Sequence, residues 1–216
     1  MAQLFPKWTN NIQTYLAVTT TVLIVAGVAF VWYYFSPWYT DVGYHPVQPV
    51  PYSHKLHADD LGIDCRYCHH SVEKSPHANV PPTQTCMNCH KLILPESDRL
   101  LLVRESWGIK IPLRWVRVHK IADYTYFDHS RHLYAGVGCA DCHGNVAQME
   151  VVTLKKPLSM SWCLDCHRNP DRYLRPPEEL TNMNWQAPAD QGDFARRIKT
   201  KKELKPPVTD CSGCHR

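Results

Sequence analysis

The longest apolar stretch of the chain lies close to its N-terminus, from Tyr15 to Phe35. It contains 21 residues and no charge. At about 1.5 Å of rise per residue, a helix of this length spans a hydrocarbon layer about 30 Å thick. Trp38 and Tyr39 follow it, as expected of an aromatic belt at a membrane surface. The pattern therefore predicts a transmembrane helix over about residues 13–35.

A cleaved signal peptide is the alternative interpretation of this segment, because signals also place an apolar stretch near the N-terminus. The apolar region of a signal is about 7–15 residues long and leads into small residues at a cleavage site, whereas Trp32 and Tyr33 stand here. We therefore expect a retained single-pass anchor over residues 1–40. Lys7 precedes the helix and no Lys or Arg follows until Lys55, which favours a cytoplasmic N-terminus.

From residue 41 onward the chain is polar and rich in proline, with one stretch of helical periodicity. That stretch follows Pro95 within residues 91–125 and predicts an amphipathic helix. From Asn169 to Pro207, proline and polar residues indicate a wrapping segment or linker. With 17 Pro, 13 His and 10 Cys in 216 residues, something other than apolar side chains must fill the interior.

All ten cysteines fall in five copies of the motif Cys-x-x-Cys-His, which is typical of covalent c-type haem attachment. Two residues between the thiols let both reach one edge of a porphyrin, and the adjacent imidazole then lies beneath the iron as its proximal ligand. The sequence therefore predicts five covalently bound c-type haems. The predicted thioether cysteines are Cys65, Cys68, Cys86, Cys89, Cys139, Cys142, Cys163, Cys166, Cys211 and Cys214, and the proximal ligands are His69, His90, His143, His167 and His215.

Zinc ribbons, disulfides and thioredoxin-like redox pairs also use two cysteines separated by two residues. None of them requires the histidine that follows every pair here, so the pattern favours haem. The formal charge of +4 does not indicate a nucleic-acid partner, because ten ionised propionates would bring the net charge to about −6. The basic run over residues 196–202 is expected to be solvated or to face propionates.

Residues 52–90 and 126–167 form an internal repeat whose landmarks are about 75 residues apart. Each unit begins with an aromatic residue and a His-x-x-His pair, and then carries two haem motifs. Histidines three residues apart share one face of a helical turn, so we expect the first to ligate a nearby haem and the second another. The second haem of the first unit has an alternative ligand further along the chain. The predicted distal ligands are His54, His57, His129 and His132.

The fifth haem needs a sixth ligand of its own, and His119 is the preferred additional imidazole, with its partner haem left open. Methionine is the competing ligand type, since a thioether raises the reduction potential of a haem. Met149 is the first such candidate, followed by Met183 and Met160, although buried methionines more often serve packing. The remaining histidines, expected at the surface or on propionates, are His45, His70 and His77.

Together these patterns predict a mainly helical and irregular chain with one transmembrane helix. The anchor, residues 1–40, precedes a haem domain, residues 41–216, in which short helices and long loops wrap around five haems. Trp107 and Trp115 are expected to pack against porphyrin faces. The fifth motif occupies residues 211–215. Haem attachment takes place outside the cytoplasm, so the haem domain is expected on the periplasmic side of a bacterial inner membrane.

The aromatic-x-His-x-x-His signatures resemble those of small class III multihaem cytochromes. Over nearly the full chain, the anchor and the segments P-Y-S-H-K-L-H, G-I-D-C-R-Y-C-H, P-P-T-Q-T-C-M-N-C-H, Y-F-D-H-S-R-H, G-V-G-C-A-D-C-H-G and S-M-S-W-C-L-D-C-H-R resemble the pentahaem subunits of bacterial alternative complex III. The resemblance implies electron relay within a quinol-oxidising assembly, without catalysis by this chain. It implies an iron–sulfur, molybdopterin-like subunit, polytopic quinol-binding subunits and a monohaem cytochrome c as partners, with a soluble carrier or a haem-copper oxidase as acceptor.

Two other functions compete with this interpretation. The first is a free-standing, membrane-anchored quinol dehydrogenase that feeds a periplasmic nitrite or nitrate reductase. The second is a pentahaem nitrite reductase, in which one iron keeps an open site for substrate. Every motif here ends in His and the chain holds enough distal candidates to saturate five irons, which disfavours the enzyme.

We expect the native chain, isolated with its cofactors, to carry the added mass of five haems, because ten cysteines supply five pairs of thioether bonds. Intact-mass spectrometry under denaturing conditions measures this directly, since covalent haem survives unfolding. A mass increase of fewer than five haems, or zinc on the thiols, would contradict the motif interpretation.

Overall fold

A computed structural model describes residues 4–216. The first three residues of the predicted anchor lie outside this part. The chain divides into two units, Met1–Asp41 and Val42–Arg216, and each is described below by itself.

The N-terminal unit is built around one long apolar helix. A 3-10 turn over Lys7–Asn11 leads into helix α1, Ile12–Tyr34, within one residue of the predicted bounds at each end. Its 18-residue core has a mean hydropathy of 2.0, and within residues 4–216 it is the one helix long and apolar enough to cross a membrane. The helix ends just before Pro37, which begins the short helix α2, Pro37–Thr40, because proline fits the first position of a new helix.

The second unit consists of short helical segments joined by loops. Residues 42–216 contain no strand, only isolated bridges between Thr125 and His215 and between Val137 and Leu174. The expected mainly helical and irregular architecture is therefore confirmed. Its α-helices are α3 Cys65–Cys68, α4 Thr83–His90, α5 Leu101–Ile109, α6 His129–Ala135, α7 Cys139–His143, α8 Met160–Arg168, α9 Gln191–Lys201 and α10 Cys211–Cys214. A π-helical turn spans Lys55–Asp60, and 3-10 turns span Asp98–Leu100, Val146–Gln148, Pro170–Tyr173 and Pro177–Glu179.

The helix expected after Pro95 forms as a 3-10 turn that continues into α5. It ends at Lys110, whose backbone has a φ of 60°, a left-handed conformation that commonly ends helices. Trp107 and Trp115 pack against a small apolar cluster formed by Val50, Met87 and Val103. Their contact with porphyrin stays a prediction.

Few apolar side chains are buried in the second unit. Nine reach this state among the described residues: Val50, Met87, Val103, Val118, Met149, Leu154, Leu174, Leu180 and Ala195. A compact domain of ordinary composition buries many more, because burial of apolar surface is the main source of its stability. The polypeptide therefore gains little stability from side-chain packing alone, as a chain wrapped around large cofactors would.

The most buried charged side chain described is Arg175, which is 2% exposed. Its Nη2 donates to Asp141 Oδ2 at 2.8 Å and its Nη1 to the carbonyl of Asn182 at 3.1 Å. The guanidinium also lies 4.6 Å from the ring centre of Trp185. A buried charge that keeps its partners is tolerated, whereas breaking such a pair is costly. Arg175 therefore connects helix α7, which contains Asp141, to the backbone at Asn182.

Two glycines make room for this arginine. Gly136 has a φ of +105°, and a Cβ there would lie 2.9 Å from the carbonyl oxygen of Arg175. A Cβ on Gly138 would overlap the guanidinium of Arg175 itself. We expect Gly136→Ala to lower the free energy of unfolding by about 1–3 kcal/mol, because it combines left-handed strain with a backbone clash. Thermal unfolding of the haem-loaded chain, followed by circular dichroism, measures the change.

Gly192→Ala is the matched control for this prediction. Gly192 lies in α9, has an ordinary φ and has open space around its Cα, so alanine is expected to be neutral or stabilising by up to about 1 kcal/mol. Equal unfolding temperatures for Gly136→Ala and Gly192→Ala would refute the proposed role of the close approach.

Candidate haem-binding sites

Each Cys-x-x-Cys pair lies on a single helical turn. We number the sites in chain order: site 1 is Cys65–His69, site 2 Cys86–His90, site 3 Cys139–His143, site 4 Cys163–His167 and site 5 Cys211–His215. Residues three apart on a helix share one face, so both thiols of a pair project to the same side. Asp64 and Asp210 cap two of these turns by accepting backbone N–H bonds, which satisfies free donors at the helix start.

Several of the thiols lie in surroundings that favour their neutral form. All ten cysteines are free of disulfides. Burial raises the pKa of Cys142 to about 12, and it raises the pKa of Cys139 and Cys166 to about 11.

Three proximal histidines are fixed by the same type of hydrogen bond. The Nδ1 atoms of His69, His90 and His167 lie 2.7, 3.0 and 2.7 Å from the backbone carbonyls of Asn79, Ile93 and Val208. A carbonyl only accepts, so Nδ1 must carry the proton and Nε2 is left with its lone pair. Metal-ligating histidines usually have this arrangement, because it sets both tautomer and ring orientation.

Three predicted distal histidines show the identical arrangement. The Nδ1 atoms of His57, His129 and His132 lie 2.8, 2.7 and 2.8 Å from the carbonyls of Ser53, Pro76 and Asp128. Burial lowers the pKa of His129 and His132, which favours the neutral imidazole that a metal requires. These three rings are therefore prepared to offer Nε2 to a ligand.

Helix α6 holds two of these rings in place. Asp128 caps its start by accepting from the backbone N–H of Ser130 at 2.8 Å. Gly136 ends it in a left-handed conformation and donates to the carbonyl of His132 at 3.1 Å, as helix C-termini commonly do. The helix is therefore confined to two turns, with His129 at its first position and His132 one turn later.

The predicted distal and proximal rings face each other at a characteristic spacing. The centroid distances are 6.3 Å for His57 and His90, 6.1 Å for His132 and His167, and 6.4 Å for His129 and His143. Metal–nitrogen bonds of about 2.0 Å on both sides of one ion, plus about 1.15 Å from each nitrogen to its ring centre, give about 6.3 Å. The three pairs thus match two imidazoles on opposite sides of an iron.

His119 and His54 lie differently. The His119 ring centre is 4.3 Å from that of His143, too close for an iron between them, while its Nε2 is buried without a partner. His54 packs edge-on against Tyr52 at 4.8 Å. Burial lowers the pKa of both His119 and His54 to about 4. The lowered pKa values favour neutral rings suited to ligation, and the haem that each would ligate is not assigned.

The three methionine candidates occupy unlike surroundings. Met149 is buried, and its Sδ accepts from the Thr153 N–H at 3.5 Å, which indicates packing. Met183 lines a small cleft beside Cys65. Met160 is 64% exposed. Ligation by any of them stays a prediction.

Sequence reasoning missed two arginines that organise sites 3 and 4. Arg175 pairs with Asp141, and Arg172 pairs with Asp165. Both aspartates occupy the same place in their motifs, Cys-x-Asp-Cys-His. The matching aspartates, together with two arginines three residues apart, could have predicted these two ion pairs from the sequence.

Paired thiols on single helical turns and opposed imidazoles are features of multihaem c-type cytochromes, which transfer electrons. The comparisons agree. Residues 125–216 match the family model described as cytochrome c7 and related cytochrome c. The multihaem cytochrome c subunit of a menaquinone reductase from Nitratidesulfovibrio vulgaris (strain Hildenborough) is 28% identical over 145 residues, which cover 56% of this chain and 68% of that protein.

We expect His57→Ala to leave the site 2 iron with one protein ligand and to convert one haem from low to high spin, because His57 is the ring opposed to His90. Electron paramagnetic resonance of the oxidised protein measures this change. His45→Ala is the control, since His45 is exposed and bonds only its neighbour's carbonyl, Gly43, through Nδ1 at 2.6 Å. An unchanged spectrum for His57→Ala would contradict its role as a ligand.

Proposed function

We propose that this chain carries five covalent haems and relays electrons between a membrane quinone-oxidoreductase and an acceptor outside the cytoplasm. The observation that carries the proposal is the spacing of the three opposed imidazole pairs, 6.1–6.4 Å. Bound haem iron supplies a one-electron couple. The protein would hold both ligating nitrogens in fixed positions, so that the ligands stay the same when the iron gains or loses an electron.

The same geometry supports relay without catalysis at sites 2, 3 and 4, where opposed rings are found. An iron with two fixed imidazoles has no position for a substrate, whereas an enzyme of the nitrite reductase type needs one. The Nδ1–carbonyl bonds of His57, His90, His132 and His167 hold the rings from the rear. They raise the cost of swinging a ligand away to admit substrate.

The proposed partners come from resemblance and from the curated relative. The resemblance to alternative complex III suggests polytopic quinol-binding subunits, an iron–sulfur, molybdopterin-like subunit and a monohaem cytochrome c, with a soluble carrier or haem-copper oxidase as acceptor. The relative is named as part of a menaquinone reductase. Both point to a membrane-bound quinone partner, and we propose quinol oxidation as the direction of flow.

The opposite direction, delivery of electrons to menaquinone, is the second candidate, and the relative's name favours it. A free-standing quinol dehydrogenase that feeds a periplasmic reductase is the third. Each is compatible with an anchor through α1 and with a haem unit on the periplasmic side of the bacterial inner membrane, which we also propose.

Purification of the tagged chain in mild detergent tests the proposal. We expect polytopic subunits to co-purify, and added quinol to reduce the haems with transfer onward to a soluble cytochrome c. The control is the His57→Ala variant, which is expected to retain the subunits and slow the transfer. Reduction of menaquinone by a reduced cytochrome would support the second candidate, and co-purification with a periplasmic reductase alone would support the third.

A further inference from the structure

Resting on the proposed five-haem function, we infer that the haem sites form one linear series in the order 2–1–3–4–5, which differs from their order along the chain. The order rests on contacts at four junctions, one between each pair of neighbouring sites. The two repeat units then meet through the first site of each, and sites 2 and 5 are the ends at which electrons enter and leave.

Sites 2 and 1 are joined through the middle residues of their motifs. Asn88 Nδ2 donates to the Tyr67 hydroxyl at 3.1 Å. The ring of Tyr52 contacts both histidines of the first pair, stacking on His57 at 4.5 Å and meeting His54 edge-on at 4.8 Å. The two attachment turns of the first unit are therefore direct neighbours.

Sites 1 and 3 are joined across the two repeat units. The N–H of Cys139 donates to the carbonyl of Leu180 at 3.0 Å, and the hydroxyl of the next residue, Thr181, donates to Asp64 Oδ2 at 3.0 Å. Asp64 directly precedes Cys65. From the other side, His129 Nδ1 donates to the carbonyl of Pro76, in the loop after site 1, at 2.7 Å.

Sites 3 and 4 share one helix and one loop. His129 and His132 of α6 oppose the proximal rings of sites 3 and 4, at 6.4 and 6.1 Å. On the attachment side, Arg175 and Arg172 bind the corresponding aspartates of the two motifs. Sites 3 and 4 are therefore linked both through their distal histidines and through their attachment turns.

Sites 4 and 5 are joined by the segment that precedes site 5. His167 Nδ1 donates to the carbonyl of Val208 at 2.7 Å. Val208 lies three residues before Cys211, and its side chain packs so closely on site 5 that a Cβ on Gly213 would lie 2.8 Å from it. Site 5 also approaches the entrance to α6, where the Tyr126 N–H donates to the carbonyl of Cys214 at 2.7 Å.

Flash photolysis of the full haem-loaded chain tests the order. All native thiols are then in thioether bonds, so one introduced cysteine accepts a photosensitiser that injects an electron locally. Leu92→Cys places it beside site 2, because Leu92 is 87% exposed and donates its N–H to the carbonyl of Cys89 at 3.0 Å. Lys205→Cys places it near site 4, because Lys205 is exposed and lies three residues before Val208, whose carbonyl accepts from His167 Nδ1 at 2.7 Å.

The destination of the electron is set by a second substitution. His57→Met, His129→Met and His132→Met each raise the potential of one haem, at sites 2, 3 and 4, because thioether ligation favours the reduced form. From the label at 92, we expect arrival times to lengthen in the order site 2, site 3, site 4. From the label at 205, the ranking is expected to reverse.

The outcomes separate the order from the function on which it rests. An identical ranking from both labels would overturn the order while leaving the ligands intact. The place of site 1 is tested by Cys65→Ser with Cys68→Ser, which removes its haem attachment. Transfer from the label at 92 to site 3 should then slow, while transfer from the label at 205 to site 3 should not; unchanged rates from both labels would place site 1 at an end, as in the order along the chain. If no methionine–iron absorption band appears in His129→Met and His132→Met, the ligand pairs are overturned, and with them the link between sites 3 and 4. His45→Met is the control and should keep the spectrum of the unaltered chain.

Discussion

The constraint on which the haem unit depends is the hydrogen bond from a histidine Nδ1 to a backbone carbonyl. Six of the predicted ligand rings make it, at 2.7–3.0 Å. Each bond settles the tautomer, aims the ring and leaves Nε2 available. Four of the six carbonyls belong to residues within ten positions of their histidine, so local loops set most of the geometry. The carbonyls of Pro76 and Val208 act across 53 and 41 residues.

Much of this unit could be predicted from the sequence, because covalent attachment imposes a fixed motif. The span of α1 and the five attachment turns followed from apolar length and from Cys-x-x-Cys-His spacing. The repeat also predicted that His-x-x-His would offer two ligands on one turn, and α6 has that form. The first copy differs, since Lys55–Asp60 forms a π-helical turn, and no residue pattern foretold the change.

The long-range contacts could not be predicted from the sequence, for a physical reason. The carbonyl of Pro76 and the carboxylate of Asp64 could bind many donors, and only the folded path of the chain brings them to His129 and Thr181. The same holds for Arg175, whose burial depends on two glycines that are ordinary in composition. The sequence also could not specify the position of His119. Its ring centre lies 4.3 Å from that of His143, and the iron that it would ligate is not identified.

The scarcity of buried apolar side chains gives the polar contacts unusual weight. In an ordinary domain one hydrogen bond contributes about 0.5–1.5 kcal/mol against a large apolar background. Here only nine apolar residues are buried in the part of the chain that the structure describes, so the proposed covalent haems and their histidine ligands would have to supply much of the stability of the unit. A hydrogen bond such as Thr181 to Asp64 then does more than add stability. It fixes which attachment turn lies beside which, and for a series of electron carriers that neighbour relation is the functional property.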